Sequence, residues 1–242
     1  MAKNRMKVVV TDYDYPSLDL ERKILEEIDP EFVGAHCTTE EEVITAAKDA
    51  DGILNQYAPI TERVIKSLDR CKVISRYGVG VDNINVEAAT QRGIIVANVP
   101  DYCVDEVSTH AMALILACAR KIPYLSTTVK KRNWDFTVGK PLFRSRGRVL
   151  GLFGLGRIGR AVARKATGFN FKIIAYDLYI SEANEKVELV SFSQLLSNSD
   201  FISLHAPLTQ ETKHSFGEEE FKAMKKDAYL INTARGAIVD EL

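Results

Sequence analysis

The sequence has 242 residues, enough for one large domain or two smaller ones with a sizeable core. Its 32 basic and 33 acidic residues give a net charge of -1, which offers no electrostatic reason to expect nucleic acid or an anionic membrane as partner. No apolar stretch approaches the roughly 20 residues of a transmembrane helix, and the start MAKNRMKVVVTDYD predicts a strand rather than a signal peptide. We expect a cytoplasmic protein of two domains with small-molecule or protein partners.

Cysteine and histidine spacing gives no indication of a disulfide framework or a metal site. The cysteines, Cys37, Cys71, Cys103 and Cys118, lie far apart without a C-x-x-C pair, and the four histidines lack H-E-x-x-H or similar spacing. We expect reduced core thiols and no bound metal. Cys103 lies near a predicted functional site, so a reactive thiol is the alternative there.

Short apolar runs alternate with amphipathic stretches, a pattern typical of α/β proteins with parallel sheets and helices on their faces. The first predicted strands are residues 6–11, 52–55, 72–75 and 94–98. Residues 17–28 predict a helix with Ser17 as N-cap and an apolar face of Leu20, Ile24, Leu25 and Ile28, and Thr39 with Glu42 predicts a capping box. Residues 1–100 therefore form the first predicted domain.

The second predicted domain covers residues 101–242. It begins with a helix over residues 104–120, whose apolar residues crowd every face and indicate burial between layers. Residues 126–148 are basic, contain Trp134 and lack periodicity, which predicts a long excursion with an oligomer contact as one interpretation. Further strands are predicted at residues 149–153, 172–176, 201–204 and 228–232.

A G-x-G-x-x-G pattern follows the first strand of the second domain and opens an amphipathic helix. Gly154 permits the tight turn, Gly156 lets a pyrophosphate approach the backbone and helix N-terminus, and Gly159 allows close helix packing. Asp177 ends the next predicted strand, where a carboxylate binds the ribose 2′-hydroxyl and repels a 2′-phosphate. The pattern predicts NAD(H) binding, although Asp177 alone could merely cap a turn.

Two further strands are predicted to end at the same sheet edge, where ligands of open α/β sheets bind. His205-Ala206-Pro207-Leu208-Thr209 follows one strand, and Thr233-Ala234-Arg235-Gly236 follows the other. A guanidinium at this edge could hold a carboxylate or carbonyl oxygen with paired hydrogen bonds. Taken alone, Arg235 could equally be a solvated charge at a strand end.

These motifs resemble the D-isomer-specific 2-hydroxyacid dehydrogenases over nearly the whole sequence. The matching segments are RYGVGVDNI, NVPDYCVDEV, GLGRIG, Asp177, LHAPLT, and INTARG followed by VDE. The family includes phosphoglycerate dehydrogenases, glyoxylate/hydroxypyruvate reductases and C-terminal-binding proteins, and NVPDYCVDEV leans toward the last branch. The resemblance implies a flavodoxin-like substrate domain, a Rossmann NAD-binding domain, and hydride transfer between NAD(H) and a 2-hydroxy or 2-oxo acid bound between them. We also expect a homodimer formed through the NAD-binding domain.

The resemblance also assigns functional positions. The backbone of Gly78, Val79 and Gly80 should meet the substrate carboxylate, and the catalytic Arg235 should bind and polarise the 2-oxo group. The residues expected to line the cofactor are Val107, Gly154, Gly156, Arg157, Ile158, Gly159, Asp177, His205, Ala206, Pro207, Thr212, Thr233 and Ala234. Taken singly, each position also fits a turn glycine or an ordinary core residue.

In the family, a glutamate and a histidine after the arginine exchange the hydroxyl proton. Only Gly236 to Leu242 follow Arg235 here, and Glu241 belongs to the VDE segment, so neither residue is present. His205 is the best substitute, but its family counterpart borders the cofactor. We expect His110 in the core and His36 and His214 at the surface.

The Rossmann domain also lacks elements after Arg235, so we expect a C-terminally truncated chain with an exposed, pairing-prone sheet edge. Three hypotheses follow. The protein is an NAD-dependent dehydrogenase whose activity is impaired in this 242-residue chain, an NAD(H)-responsive scaffold or corepressor-like protein, or an inactive remnant. The sequence does not choose between glyoxylate, hydroxypyruvate and phosphohydroxypyruvate. Asn55, Gln56 and Tyr57 are candidate specificity residues.

Overall fold

The computed structural model describes residues 5–183 and 186–241, and the chain divides into two units, Met1–Tyr102 and Cys103–Leu242. The strands of the first unit are β1 (Lys7–Val10), β2 (Glu31–Gly34), β3 (Gly52–Asn55), β4 (Val73–Arg76) and β5 (Ile95–Ala97). Its helices are α1 (Asp19–Leu25), α2 (Glu40–Ala47), α3 (Glu62–Ser67) and α4 (Val86–Gln91), with a 3-10 helix at Glu26–Ile28. The parallel order β2-β1-β3-β4-β5 is that of flavodoxin-like folds.

The first helix differs from its prediction. No residue of α1, all of which the structure describes, is buried, and Leu20 and Ile24 are 67% and 65% exposed. Leu18, which precedes the helix, is the buried side chain, and it takes the N-cap position predicted for Ser17. The predicted apolar face was wrong because α1 has only two turns and its periodicity cannot distinguish a core face from a surface one.

The capping box at the start of α2 is confirmed. The Thr39 side chain accepts the Glu42 N–H, and the Glu42 carboxylate accepts the Thr39 N–H. Glu42 Oε2 also accepts the Thr38 N–H at 2.7 Å, and these hydrogen bonds lower the pKa of Glu42. The cap satisfies N–H groups that have no partner within the helix.

The strands of the second unit are β6 (Val149–Phe153), β7 (Lys172–Tyr176), β8 (Val187–Leu189), β9 (Phe201–Leu204) and β10 (Tyr229–Asn232). Its helices are α5 (Val104–Ala119), α6 (Ile122–Lys130), α7 (Arg157–Thr167), α8 (Phe192–Asn198) and α9 (Glu218–Ala223), with 3-10 helices at Phe136–Gly139 and Gly236–Ile238. Read from the other edge, the parallel order β8-β7-β6-β9-β10 is the Rossmann order 3-2-1-4-5 when β6 is counted as strand 1.

Helices cover both faces of the second sheet. Leu150 and Leu152 of β6 share one cluster with residues of α5 and α7, while Phe153 and Ile202 share another with Leu195 of α8. This double coverage explains why the strands are continuous apolar runs rather than alternating ones.

Two predictions for the start of the second unit were wrong. Only one face of α5 is buried, through Ser108, Ala111, Met112 and Ile115, and His110 is exposed rather than in the core. Residues 126–148, which were predicted to lack periodic structure, contain most of α6. This helix has Pro123 in its first turn, where proline is tolerated, and its exposed residues include apolar ones. Within the described ranges, no helix is long and apolar enough to cross a bilayer.

Candidate functional site

The glycine turn after β6 requires glycine at two positions. Gly154 has φ +98°, and a Cβ there would lie 2.6 Å from the Ala206 nitrogen. A Cβ on Gly159, in α7, would lie 2.2 Å from the Gly154 carbonyl oxygen. The turn is therefore packed between α7 and the segment after β9, as expected where a helix starts close to its sheet.

The N-terminus of α7 is open at the second glycine of the pattern, Gly156. Gly156 is the N-cap residue, and apart from its immediate chain neighbours no described residue has an atom within 4 Å of where its Cβ would be. The N–H groups of Arg157 and Ile158 precede the first helical hydrogen bond, which runs from Arg160 N to Gly156 O. This open helix end fits the pyrophosphate of a dinucleotide, because positive N–H dipoles and free space coincide.

Asp177 joins the end of β7 to the glycine turn. Its Oδ2 accepts the Leu155 N–H at 2.7 Å, and its Oδ1 accepts the N–H groups of Tyr179 and Ile180 at 2.9 and 3.1 Å. The turn-capping interpretation thus holds. A carboxylate accepts about four hydrogen bonds, so the half-buried group keeps capacity for a ribose hydroxyl.

Two buried polar atoms lie at the adjoining strand ends without a protein partner among the described residues. They are His205 Nε2 and Thr233 Oγ1. Leu204 pairs with Asn232 in the β9-β10 register, so His205 and Thr233 follow at the same edge. Burial lowers the pKa of His205 to about 4, which keeps the imidazole neutral near pH 7. Unpaired buried polar groups are rare, and a bound ligand at this edge would satisfy them.

Thr212, predicted to line the cofactor, shapes the neighbouring loop. Its buried hydroxyl donates to the Pro207 carbonyl at 2.6 Å and accepts the Thr209 N–H at 2.8 Å. These bonds fix the segment that contains Ala206 and Pro207. The Thr212 hydroxyl is therefore committed to protein groups rather than open to a ligand.

Arg235 lies at the same sheet edge as the glycine turn, just beyond β10. Asn232 holds its backbone: the Asn232 amide accepts the Ala234 N–H at 3.0 Å and donates to the Arg235 carbonyl at 2.9 Å. The half-buried guanidinium donates to the Ala234 carbonyl at 3.0 Å. Asn232 was not predicted as a site residue, although an asparagine two residues before a turn is a known turn-forming pattern.

In the first unit, two of the three predicted backbone donors lack an internal acceptor. The Gly78 N–H donates to the Arg76 carbonyl at 2.9 Å. No hydrogen bond from the N–H of Val79 or Gly80 is found in the described part of the chain. The Gly78 and Val79 carbonyls accept from Val99 N and Asn98 Nδ2, which fixes the loop. Val79 and Gly80 are thus the donors that an anion could use.

Asp12, another residue that the sequence analysis missed, orients the candidate specificity segment. This buried carboxylate accepts the N–H groups of Gln56 and Tyr57 at 3.1 and 2.5 Å and the Asn55 side chain at 3.3 Å. It therefore fixes the segment that begins at the carboxyl end of β3 and exposes Tyr57.

Lys165 of α7 fixes the start of α5, near Cys103 and Val107. Its Nζ lies 2.7 Å from Asp105 Oδ1 and donates to Ser108 Oγ at 2.8 Å. Val107 and Cys103 are both half-buried, and Cys103 has a free thiol. The predicted cofactor residues of the second unit thus lie on the glycine turn and the start of α7, at the ends of β7, β9 and β10, in the loop after β9 and in the first turn of α5.

A Rossmann sheet with this glycine turn, open helix end and strand-terminal aspartate defines a dinucleotide-binding protein. The family profile described as "D-isomer specific 2-hydroxyacid dehydrogenase, NAD binding domain" matches residues 112–242. The chain belongs to this family, and its cofactor is NAD.

Relatives of known name agree with this assignment. The D-3-phosphoglycerate dehydrogenase of Methanocaldococcus jannaschii is 44% identical over 241 residues, which cover 98% of this chain and 45% of the relative. The glyoxylate reductase of Thermococcus litoralis is 46% identical over 194 residues, which cover 75% of this chain and 59% of the relative. Among solved structures, D-lactate dehydrogenase from Aquifex aeolicus, complexed with NAD and lactic acid, is similar with a TM-score of 0.86 and 31% identity. The match covers 96% of this chain and 70% of that chain. The chain spans about half the length of the curated relatives it matches.

Proposed function

We propose that this chain belongs to an NAD-dependent oxidoreductase and contains both NAD-binding and substrate-binding residues. The reaction transfers hydride between NAD(H) and a D-2-hydroxy acid or its 2-oxo acid, acting on the CH–OH group. The observation that supports this most directly is Arg235, fixed by Asn232 at the sheet edge that holds the glycine turn and Asp177. Bound NAD supplies the hydride acceptor, or NADH the donor.

The cofactor residues divide their work in this proposal. The Arg157 and Ile158 N–H groups bind the pyrophosphate, and Asp177 binds the ribose while it holds the turn. The neutral His205 ring and the Thr233 hydroxyl border the nicotinamide end, where their unpaired atoms find partners. Ala206, Pro207 and Ala234 supply backbone surface along this edge.

The substrate residues act through charge and hydrogen bonds. Arg235 binds the 2-oxo group and stabilises the negative charge that develops on its oxygen during reduction. For the first unit, we assign the Val79 and Gly80 N–H groups to a carboxylate, and Gly78 to the turn that presents them.

Proton exchange is the step that this chain performs poorly. A general base works best with a pKa near the operating pH, whereas the pKa of His205 is about 4. No histidine follows Arg235 in the sequence. Without a tuned acid/base group, the rate should fall by about 10² to 10⁴.

Steady-state turnover of NADH tests this function. Glyoxylate, hydroxypyruvate and phosphohydroxypyruvate are compared as substrates, using this chain and a version extended to the natural stop codon. We expect turnover with one or more of these acids by the extended protein and a rate lower by about 10² to 10⁴ for this chain. Equal, substantial rates would show that the acid/base group lies within the 242 residues. No turnover by either would refute the proposal.

A homodimer through the NAD-binding domain is part of the proposal. The supporting feature is the α6 patch, which we define as the exposed Ile122, Tyr124, Val129, Trp134 and Phe136. Trp134 and Phe136 are 88% and 71% exposed, and adjacent exposed apolar side chains mark protein interfaces.

We also place the protein in the cytoplasm, because its four cysteines are free.

A second candidate function is an NAD(H)-responsive scaffold, and the α6 patch is the observation that favours it. In that case, cofactor binding would change the association of the chain. Sedimentation with and without NADH distinguishes the candidates: a cofactor-dependent mass without turnover supports the scaffold, and turnover at constant mass rejects it.

A further inference from the structure

A cavity lies at the sheet edge opposite the glycine turn. The strands β6, β9 and β10 begin just after Arg148, Asp200 and Ala228, and these residues line a cavity of about 420 Å³. Because the strands are parallel, this edge is separated from Gly154 and His205 by a strand length, about 15 Å. Small-molecule sites have volumes of about 300 to 1,000 Å³. The cavity is thus large enough for a small organic ligand and separate from the dinucleotide edge.

The cavity walls have an excess of positive charge. Their charged residues are Lys121, Arg144, Arg148, Lys225 and Lys226 against Asp200 and Asp227. In the part of the chain that the structure describes, Lys121, Arg144 and Lys226 take part in no ion pair. Concave walls with one dominant sign of charge concentrate ions of the opposite sign. The cavity therefore favours an anion.

Asp200 fixes the other two cations. Its Oδ1 accepts from Arg148 Nη1 at 2.8 Å and from Lys225 Nζ at 3.1 Å, while Oδ2 accepts the Val149 N–H. Burial alone would raise the pKa of this carboxyl, but the hydrogen bonds from Val149, Lys225 and Arg148 hold the pKa below its usual value. Asp200 is therefore charged at neutral pH, and both cations are held in place before any ligand arrives.

Aromatic rings form the apolar part of the wall. The Phe201 and Tyr229 rings stack with centroids 5.4 Å apart and an interplanar angle of 10°. The Arg148 guanidinium carbon lies 3.8 Å from the centroid of Phe143, which is a cation–π contact. Flat rings beside fixed cations suit a ligand with an apolar body and a charged end.

We propose that this cavity is a second ligand site, which binds a small organic anion. The carboxylate or phosphate of the ligand meets Arg144, Lys225 and Lys226, and its aromatic or other apolar body lies against Phe201 and Tyr229. An inorganic anion lacks the apolar body and a neutral aromatic molecule lacks the charge, so both bind more weakly. The site is independent of the proposed oxidoreductase activity, because it uses none of the residues assigned to that activity.

Isothermal titration calorimetry of this chain tests the site with phenyl phosphate and benzoate as probes. Inorganic phosphate and benzyl alcohol serve as the charge-only and ring-only comparisons. We expect saturable binding of at least one aromatic anion, weaker by about tenfold in the double variant Lys225→Gln with Lys226→Gln. Saturating NAD should leave this binding unchanged, because the two edges of the sheet are separate.

A matched control separates the site from general charge. Lys172→Gln with Lys222→Gln removes the same charge from exposed side chains outside the cavity and should bind like the parent. Arg144→Gln, at an exposed side chain without an ion pair, repeats the test should the first variant misfold. No saturation by about 10 mM, equal weakening in the control, or displacement by NAD would overturn the proposal.

Discussion

His205 is a titratable side chain whose ring is kept neutral by its surroundings. Burial lowers its pKa from 6.5 to about 4. The unfolded chain therefore takes up a proton as the pH falls through 6.5, while the folded protein does so only near 4. The contribution of neutral His205 to the free energy of unfolding is fully present above pH 6.5, and it is lost as the pH falls from 6.5 toward 4.

The variant His205→Asn should remove this pH dependence. Between about pH 7 and 4, the free energy of unfolding of the parent should fall by up to about 3 kcal/mol more than that of the variant. Urea unfolding across this range measures the difference. His110→Asn, at an exposed histidine, should follow the parent. Parallel curves for the parent and His205→Asn would contradict the assignment.

Asp177 should set both cofactor affinity and cofactor choice. In Asp177→Asn, the lost charge weakens the hydrogen bond to Leu155 and the proposed hydrogen bond to the ribose, so NADH affinity should fall by about tenfold. The preference for NADH over NADPH should narrow, because the repulsion of a 2′-phosphate is removed. Fluorescence titration with both cofactors measures these affinities, and Glu188→Gln, on the neighbouring strand, is the control. An unchanged preference would refute the role of the charge.

The residues differ in how far the sequence could predict them. Gly154 was predictable because its backbone requirement is local to a strand-to-helix turn. Asp12 was not, because its bonds to Gln56 and Tyr57 join positions 44 and 45 residues apart. Lys165 likewise contacts Ser108 across 57 residues. Such contacts exist only after the elements have packed, and no local spacing encodes them.

At the scale of elements, continuous apolar strands were the most predictable. β6, β7 and β9 have their predicted bounds, because helices cover both faces of the sheet. β2 and β8 were missed, since these edge strands are short and mix exposed with apolar residues. In these two strands, the exposed Glu31 and Glu188 interrupt the apolar pattern.

The contact between α7 and the glycine turn can be tested by comparing alanine variants near the two ends of α7, only one of which lies at the contact. Gly159→Ala places a methyl group 2.2 Å from the Gly154 carbonyl oxygen and should destabilise the fold by about 1 to 3 kcal/mol. Gly168→Ala, at the C-cap of the same helix, lies 3.4 Å from the Lys165 oxygen in a helical conformation and should be neutral or stabilising. Denaturant unfolding compares them, and equal stabilities would show that the helix can shift freely.

At the scale of the whole molecule, the sequence predicted two α/β units of different topology, and the strand orders match the flavodoxin-like and Rossmann folds. What it could not predict was which apolar residues stay at the surface. The α6 patch and α1 both expose large apolar side chains. The sequence could not predict this exposure, because these residues differ from core residues only in their burial in the folded chain.

These two surfaces allow a direct test of how the chain associates. If the proposed dimer forms through the α6 patch, Trp134→Ser with Phe136→Ser should give a monomer in sedimentation velocity where the parent gives a dimer, because the most exposed rings of the patch are lost. Leu20→Ser with Ile24→Ser changes comparably exposed residues of α1 and should leave the mass unchanged. Dissociation by the α1 variant alone would instead place the interface in the first unit.

The hydrogen bond from Leu155 to Asp177 also matters for anyone who wishes to redesign the chain for NADP. Replacing the aspartate with a small or basic residue would admit the extra phosphate, but it would leave the N–H groups of Leu155, Tyr179 and Ile180 without their acceptor. The redesigned turn would therefore lose shape as it gained the new cofactor. A successful design must supply a replacement oxygen within reach of Leu155.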